Sequence, residues 1–250
     1  MVDSPRFAYV QPRLQARFAL RLSGAEWRLM EASADVDHYL QAARQTSMRP
    51  WVDHLNPDTP ASEIERTFRE AWGGRIDEAS AWPGDAWGPA VLWLRWLPWL
   101  PAMRYLAAGG PALEWMADDP VPGAGRPTDG SGHEPGKTGN PLQPLVAAEH
   151  TEEFWIERWR EQLPESGPWV AALLDTVLAH REQMRSSHGE GNVLRQQLID
   201  QMTRLFRRFA GGPGAFFAWL AIEGLDAERL RYRILSRSLV PMSEEMHAWA

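Results

Sequence analysis

Apolar residues along most of this chain recur at intervals of three and four positions, which is the period of an amphipathic α-helix. In the segment that begins near Ser62, Ile64, Phe68 and Trp72 fall on one helical stripe, and Ser62 and Glu65 have the spacing of a capping box. The alternation of polar and apolar positions that indicates β-strands is almost missing. The pattern therefore predicts an all-α protein of packed antiparallel helices.

Two further helix starts are predicted near the N-terminus by residue types that cap helices. Ser23 is followed three positions later by Glu26, and Asp35 precedes an apolar stripe that includes Tyr39. Pro50 is expected to end the second of these helices, because proline disrupts a helix interior.

The composition changes abruptly in residues 118–143, which are rich in Pro, Gly, Asp, Ser and Thr and contain few apolar residues. Such a segment buries too little surface to offset the entropy lost on ordering, so we predict a flexible linker or loop. Helical patterns resume after it. The sequence thus predicts two helical lobes, residues 1–117 and 144–250, joined by the Pro/Gly-rich segment 118–143.

Composition narrows the classes of function. A formal charge of −7 and a pI near 5.5 argue against a protein that mainly grips nucleic acid. The chain has no cysteine, which excludes disulfides, thiol catalysis and cysteine-ligated metals. Arginines interrupt the apolar residues of the first twenty positions, and no long uncharged apolar run occurs, so we expect a cytoplasmic protein without a membrane span.

The segment GSGHEPGKTG, residues 130–139, resembles the end of a nucleotide-binding P-loop. The motif needs a glycine where this chain has Ser131, an apolar strand before it, and a helix where Pro141 and Pro144 stand. Because spacing and context both fail, we expect no bound nucleotide or other cofactor. Lys137, the single lysine of the chain, is interpreted as part of the linker.

Candidate catalytic or metal-binding residues are few. Glu149, His150 and Glu153 are close in sequence and could form a general acid/base site or a ligand cluster, although acidic residues of this kind also favour the first turn of a helix. Glu244 and His247 have the Glu-x-x-His spacing of di-iron bundles, but the remaining ligands of such a site are missing. We therefore predict no metal site and favour a non-catalytic protein, with an enzyme or metal-binding protein based on the first cluster as the alternative.

The tryptophans Trp93 and Trp96 lie in an apolar segment, residues 89–106, that is predicted to be helical and is interrupted by Pro98 and Pro101. A helix on a membrane surface usually carries many basic residues, and this segment has two arginines. We favour a buried helix, with contact to a partner protein as the competing interpretation.

Arginines form helical stripes in the C-terminal half of the chain. Arg229, Arg233 and Arg237 are spaced by four, as are Arg204 and Arg208 on the preceding predicted helix. One interpretation is a solvated helix surface whose charges are paired with nearby acidic residues, namely Glu223, Asp226 and Glu228. The other is a docking face for an acidic protein, for which the forked guanidinium group is well suited.

Five short stretches occur in the order found in one protein family. They are FAYVQPRLQAR (7–17), DVDHYL (35–40), EIERTF (63–68), FFAWL (216–220) and ERLRYRI (228–234). Together they resemble the d/C family of connector proteins in the rotary ATPases of the vacuolar type and of their archaeal and bacterial counterparts. Members of that family are commonly longer, with three related helical repeats, and residues 118–143 stand where a continuous helix would be expected.

The resemblance implies a non-catalytic coupling protein, a helical cup that sits on the membrane rotor ring and receives the central stalk. Its partners would be the protein components of a membrane-associated complex, and the nucleotide would bind to other chains. The residues themselves favour a function in protein binding, since the sequence contains tryptophans and arginine stripes and shows no assembled active site.

Overall fold

The computed structural model describes residues 5–112, 115–118, 151–187 and 191–239. No residue in these ranges belongs to a β-strand, which confirms the all-α prediction. A 3-10 helix, Leu94–Trp99, accompanies the α-helices. The α-helices are α1 (Pro5–Ala19), α2 (Gly24–Glu31), α3 (Val36–Arg44), α4 (Arg49–Val52), α5 (Ala61–Ser80), α6 (Gly88–Trp93), α7 (Leu100–Ala107), α8 (Trp115–Asp118), α9 (Thr151–Glu161), α10 (Pro168–Ser186), α11 (Gly191–Arg208) and α12 (Pro213–Leu239).

The predicted helix starts near the N-terminus are confirmed. Ser23 and Glu26 form a complete capping box at the start of α2, and the side chain of Asp35 accepts a hydrogen bond from the backbone N–H of His38 at the start of α3. Two boundary predictions are wrong. α5 begins at Ala61, so Ser62 lies inside the helix and does not cap it, and Pro50 lies in the first turn of α4, where its missing N–H costs nothing.

The helices form two compact units. The first comprises Met1–Gly74 and Ser166–Ala250, and the second comprises Arg75–Glu165. The division between them falls inside α5.

These bounds differ from those of the predicted lobes, 1–117 and 144–250. The physical reason is that α1 and α3, from the start of the chain, pack on α12 at its end. The predicted linker 118–143 lies outside the described residues except for Asp118, so its flexibility stays a prediction.

α12 is the centre of the first unit. Phe216, Phe217 and Trp219 are buried on its N-terminal half. The ring of Phe216 meets Phe7 of α1 edge-on at 6.0 Å, and Phe217 stacks on Trp169 of α10 at 5.2 Å. These aromatic contacts fix α1 and α10 against α12.

A glycine allows α10 and α12 to approach each other closely. A Cβ atom added at Gly214 would lie 2.7 Å from the Cβ atom of Trp169 and 2.8 Å from that of Phe209. Contacts this short would force backbone or side chains apart, so any larger residue at position 214 would disrupt the packing.

The second unit is built around tryptophans. The indole N–H of Trp93 donates to the backbone carbonyl of Trp155 at 3.1 Å, and the two rings stack at 6.2 Å, which attaches α6 to α9. Pro98 lies within the 3-10 helix and Pro101 in the first turn of α7. The two prolines thus interrupt the apolar segment 89–106 as the sequence predicts.

Candidate interaction surfaces

The arginines of α12 contact a carboxylate that the sequence analysis did not identify. Arg229 donates through Nε to Oε1 of Glu31 at 2.7 Å, and Arg233 donates to both carboxylate oxygens of the same residue, at 3.2 and 3.4 Å. The side chain of Glu31 is 13% exposed, and those of Arg229 and Arg233 are 20% and 28% exposed. One largely buried carboxylate therefore accepts hydrogen bonds from two guanidinium groups.

Arg237, one turn further along α12, binds the backbone around the end of α2. Its guanidinium group donates to the carbonyl oxygens of Glu31, Ser33 and Arg233 at 2.7–3.0 Å. Two of these carbonyls, those of Glu31 and Ser33, lie at and just beyond the end of α2, where a helix leaves its last carbonyl groups without partners. Arg237 thus closes the C-terminal end of α2 and holds it to α12.

Tyr39 lies beside this cluster and is fully buried. The guanidinium carbon of Arg237 lies 4.3 Å from the centre of its ring, a cation–π contact. The hydroxyl group of Tyr39 is buried and makes no hydrogen bond with any described residue. Burial raises the pKa of the phenol above its ordinary value, the Glu31 charge raises it further, and the arginine charges oppose the rise, so the hydroxyl keeps its proton.

The charges of the cluster also act on Glu31. Burial raises the pKa of its carboxyl group, but the hydrogen bonds and positive charges of Arg229 and Arg233 outweigh burial. The pKa of Glu31 therefore lies below its ordinary value. Glu31 is ionised at neutral pH, as its contacts with two guanidinium groups require.

A second ion pair joins the same two parts of the chain. Asp226 of α12 is 1% exposed and accepts two hydrogen bonds from Arg21, at 2.7 Å from Nε and 3.1 Å from Nη2. Burial raises the pKa of the Asp226 carboxyl, and the hydrogen bonds and charge of Arg21 oppose the rise. This bidentate geometry is the one that compensates best for burying two charges.

The expected pairing of the stripe with Asp226 and Glu228 is therefore corrected, whereas its pairing with Glu223 stays a prediction. Arg229 and Arg233 pair with Glu31, whereas Asp226 pairs with Arg21 and Glu228 with Arg231. Spacing can indicate only neighbours along a helix, and the partners of Asp226 and Arg229 are about two hundred positions away. The sequence signal that could have indicated these pairs is the order of the charges. A basic residue precedes an acidic one in residues 21–31, and an acidic residue precedes basic ones in residues 226–233.

Arg204 and Arg208 are placed differently from the stripe on α12. Both side chains are exposed on α11, and neither forms an ion pair with another residue that the structure describes. Their face of the helix also carries Val193, which is 56% exposed, and Asp200, whose side chain accepts a hydrogen bond from Gln196. This outward face of α11 combines free positive charge with exposed apolar surface.

Trp93 and Trp96 are half-buried in the second unit. Trp93 stacks on Trp155, and Trp96 meets Trp99 edge-on at 5.9 Å. Arg95, between them, pairs with Asp77 at 2.9 Å. These contacts give both tryptophans a packing role, and their predicted role in partner binding stays a prediction.

The alternative acid/base cluster is only partly described. Glu149 and His150 lie outside the described residues, as do Lys137, Glu244 and His247. Glu153 is exposed in the first turn of α9, where the helix dipole favours negative charge. Within the described ranges, no group of three or more His, Asp or Glu side chains is arranged to hold a metal ion.

No protein-family model, curated protein or solved structure matches this chain. Among the described helices, none combines the length and the apolar character needed to cross a membrane.

Proposed function

We propose that the protein is a non-catalytic helical adaptor that docks an acidic partner protein on the outward face of α11. The observation that carries this proposal is that Arg204 and Arg208 are exposed one turn apart and form no ion pair within the described chain. The arginines at positions 21, 229, 231 and 233 each have an internal carboxylate partner. The free pair on α11 is therefore available to a partner.

The chemistry of this face favours an acidic protein. Two guanidinium groups on one helical face form forked hydrogen bonds with carboxylates, and they attract them over a distance at low ionic strength. Val193 on the same face supplies apolar area, which gives affinity that charge alone does not give. A face of this kind fits an amphipathic acidic helix better than a small polar substrate.

The larger assembly is inferred from the sequence resemblance. If the resemblance to the d/C family of rotary ATPases reflects common descent, the partners are the rotor ring and the central stalk of a V-type ATPase. The protein would then be cytoplasmic and reach the membrane through its partners. The all-helical fold is the fold class that the resemblance implies.

The test is affinity purification of the tagged full-length chain from its native cells, with mass spectrometry of the bound proteins. We expect the components of one membrane-associated assembly, and we expect the double variant Arg204→Glu/Arg208→Glu to lose them. The matched control is Arg160→Glu/Arg185→Glu, which reverses two other exposed arginines and should retain the partners. Binding of the purified partner should weaken as salt is added, because the attraction is between exposed charges.

Two results would contradict the proposal. Equal recovery of partners by the wild type and the α11 variant would remove the outward face of α11 as the docking site. Recovery of no stable partner, together with enzymatic activity of the isolated chain, would remove the adaptor function itself.

A further inference from the structure

One side of α1 combines arginines with two large apolar side chains. Its members are spaced by three or four positions: Arg6, Tyr9, Arg13, Arg17 and Leu20. The backbone N–H of Leu20 donates to the carbonyl oxygen of Arg17 at 3.2 Å, so the helical turn continues as far as Leu20. With about 100° of turn per residue, the five side chains fall within an arc of about 80°. They form one surface, which we call the α1 face.

The α1 face is accessible to solvent. Tyr9 is 89% exposed and Leu20 is 65% exposed. Arg6 and Arg13 are exposed, and Arg17 is half-buried. Single exposed apolar residues are common on proteins, but here two of them share a narrow face with three arginines. The α1 face therefore offers positive charge and apolar surface in the same direction.

The charge of α1 has one sign. The helix Pro5–Ala19 contains three arginines and no acidic residue. At physiological ionic strength, exposed charges act over about 8 Å, so a surface that meets α1 responds to this local charge more than to the formal charge of −7 of the whole chain. The α1 face therefore attracts an anionic surface.

The opposite side of α1 holds the helix in place. Phe7, Val10 and Leu14 are buried there. Phe18, near the end of the helix, stacks on Phe206 of α11 with 4.7 Å between the ring centres. Because these contacts keep α1 from turning about its axis, its arginines and exposed apolar side chains point outward together, and little conformational freedom is lost when they meet a partner.

This combination fits a lipid surface better than a nucleic acid. The phosphates of a nucleic acid would pair with the arginines, but they offer no apolar environment for the aliphatic side chain of Leu20. An anionic bilayer offers charged headgroups to the arginines and the boundary of the acyl chains to Tyr9 and Leu20. Tyrosine also suits this boundary, because its ring is apolar and its hydroxyl group is polar.

We propose that the α1 face binds the surface of an anionic phospholipid membrane. The arginines contact the headgroups, and Tyr9 and Leu20 insert at the boundary of the acyl chains. The contact is peripheral and reversible, because each basic residue near such a surface strengthens binding only about fivefold. This inference goes beyond the docking of a protein on α11, and neither surface requires the other.

The experiment is cosedimentation of the purified full-length chain with sucrose-loaded vesicles. Vesicles of phosphatidylcholine alone are compared with vesicles of an equal mixture of phosphatidylcholine and phosphatidylserine. We expect binding to the mixed vesicles only, and we expect added sodium chloride to weaken it, because the salt screens the charges. Equal binding to both kinds of vesicle, or binding to neither, would overturn the proposal.

Two variants separate the charge from the apolar side chains. Arg13→Gln/Arg17→Gln should bind the mixed vesicles about thirtyfold more weakly than the wild type. Tyr9→Ser/Leu20→Ser keeps every charge and should bind about tenfold more weakly, because it removes the side chains that insert. The matched control Arg204→Gln/Arg208→Gln removes the same charge from α11 and should bind as the wild type does.

Wild-type binding by Tyr9→Ser/Leu20→Ser would overturn the proposal, because the attraction would then be one of charge alone. A loss in the α11 control equal to that in Arg13→Gln/Arg17→Gln would also overturn it, because binding would not be specific to the α1 face. If the arginine variant fails to fold, Tyr9→Ser/Leu20→Ser decides, since both of its substituted side chains are exposed.

A short DNA duplex, offered to the same proteins at the same ionic strength, tests the nucleic acid. We expect the wild type to bind the mixed vesicles in preference to the duplex. Binding to the duplex without binding to the vesicles, lost in Arg13→Gln/Arg17→Gln, would replace the membrane with a nucleic acid and overturn the proposal.

Discussion

Replacing Glu31 with glutamine should test how the start of the chain is attached to α12. Glutamine has nearly the shape of glutamate and keeps one carbonyl oxygen as an acceptor, but it removes the negative charge. Arg229 and Arg233 would then lose their shared carboxylate partner, and the amide NH₂ of glutamine would face guanidinium donors. The substitution therefore isolates the charge from the packing.

The magnitude follows from the partial burial of the three side chains. Removing one partner of a fully buried ion pair costs about 3–5 kcal/mol, whereas exposed pairs contribute about 0–1 kcal/mol. Glu31 is 13% exposed, but its two partners are 20% and 28% exposed and can recover part of their hydration. We therefore expect the free energy of unfolding to fall by about 2 kcal/mol, which corresponds to about 4–8 °C in Tm for a chain of this length.

The assay is urea and thermal unfolding followed by circular dichroism, with Glu70→Gln as the matched control. Glu70 is 72% exposed and its nearest ionic contact, to Arg66, is 3.9 Å long, so we expect a change below about 0.5 kcal/mol. A double-mutant cycle of Glu31→Gln with Arg229→Gln should give a coupling energy of about 1 kcal/mol or more.

The reasoning would be refuted if Glu31→Gln were as stable as Glu70→Gln. A coupling energy near zero would also refute the reasoning, because it would mean that the 2.7 Å contact between Glu31 and Arg229 contributes nothing to the free energy of unfolding in solution.

Two further predictions concern the same attachment. The pKa of Glu31 is lowered in the folded state, so the stability that its charge contributes is present above the unfolded pKa, near 4.5, and is lost as pH falls through the folded pKa. The free energy of unfolding, measured from pH 7 downwards, should therefore depend less on acid in Glu31→Gln than in the wild type. The comparison with the wild type is needed because Asp226, whose pKa is raised, contributes with the opposite sign. Arg21→Gln leaves the Asp226 carboxylate unpaired at 1% exposure, so it should cost about 3 kcal/mol at neutral pH in urea unfolding, and a loss below about 1 kcal/mol would contradict the structural role of Arg21.

Local features of the fold could be predicted because their causes are local. The capping box of Ser23 and Glu26 and the cap of Asp35 depend on residues three positions apart, and the structure confirms both. The predicted start of α5 is wrong because Ser62 satisfies the same local pattern one residue inside the helix. Capping signals thus predict that a helix begins nearby, and the turn geometry decides at which residue.

The long-range pairs could not be predicted, because they depend on how the chain returns on itself. Arg21 meets Asp226 and Glu31 meets Arg229 and Arg233 only because the chain from position 21 to 33 runs alongside α12 in the same order. A stripe of arginines spaced by four looks the same in sequence whether it faces solvent, a partner or another part of its own chain.

The internal ion pairs decide which of the two arginine stripes a partner protein can bind. A partner carboxylate that replaced Glu31 at Arg229 and Arg233 would first have to break that ion pair, and a cost of about 2 kcal/mol would reduce its affinity about thirtyfold. A partner on α11 faces no such competition, because Arg204 and Arg208 form no ion pair with a described residue. The two sets of arginines, equivalent in spacing, therefore have different uses: the set on α12 holds the fold together, and we propose that the set on α11 meets the partner.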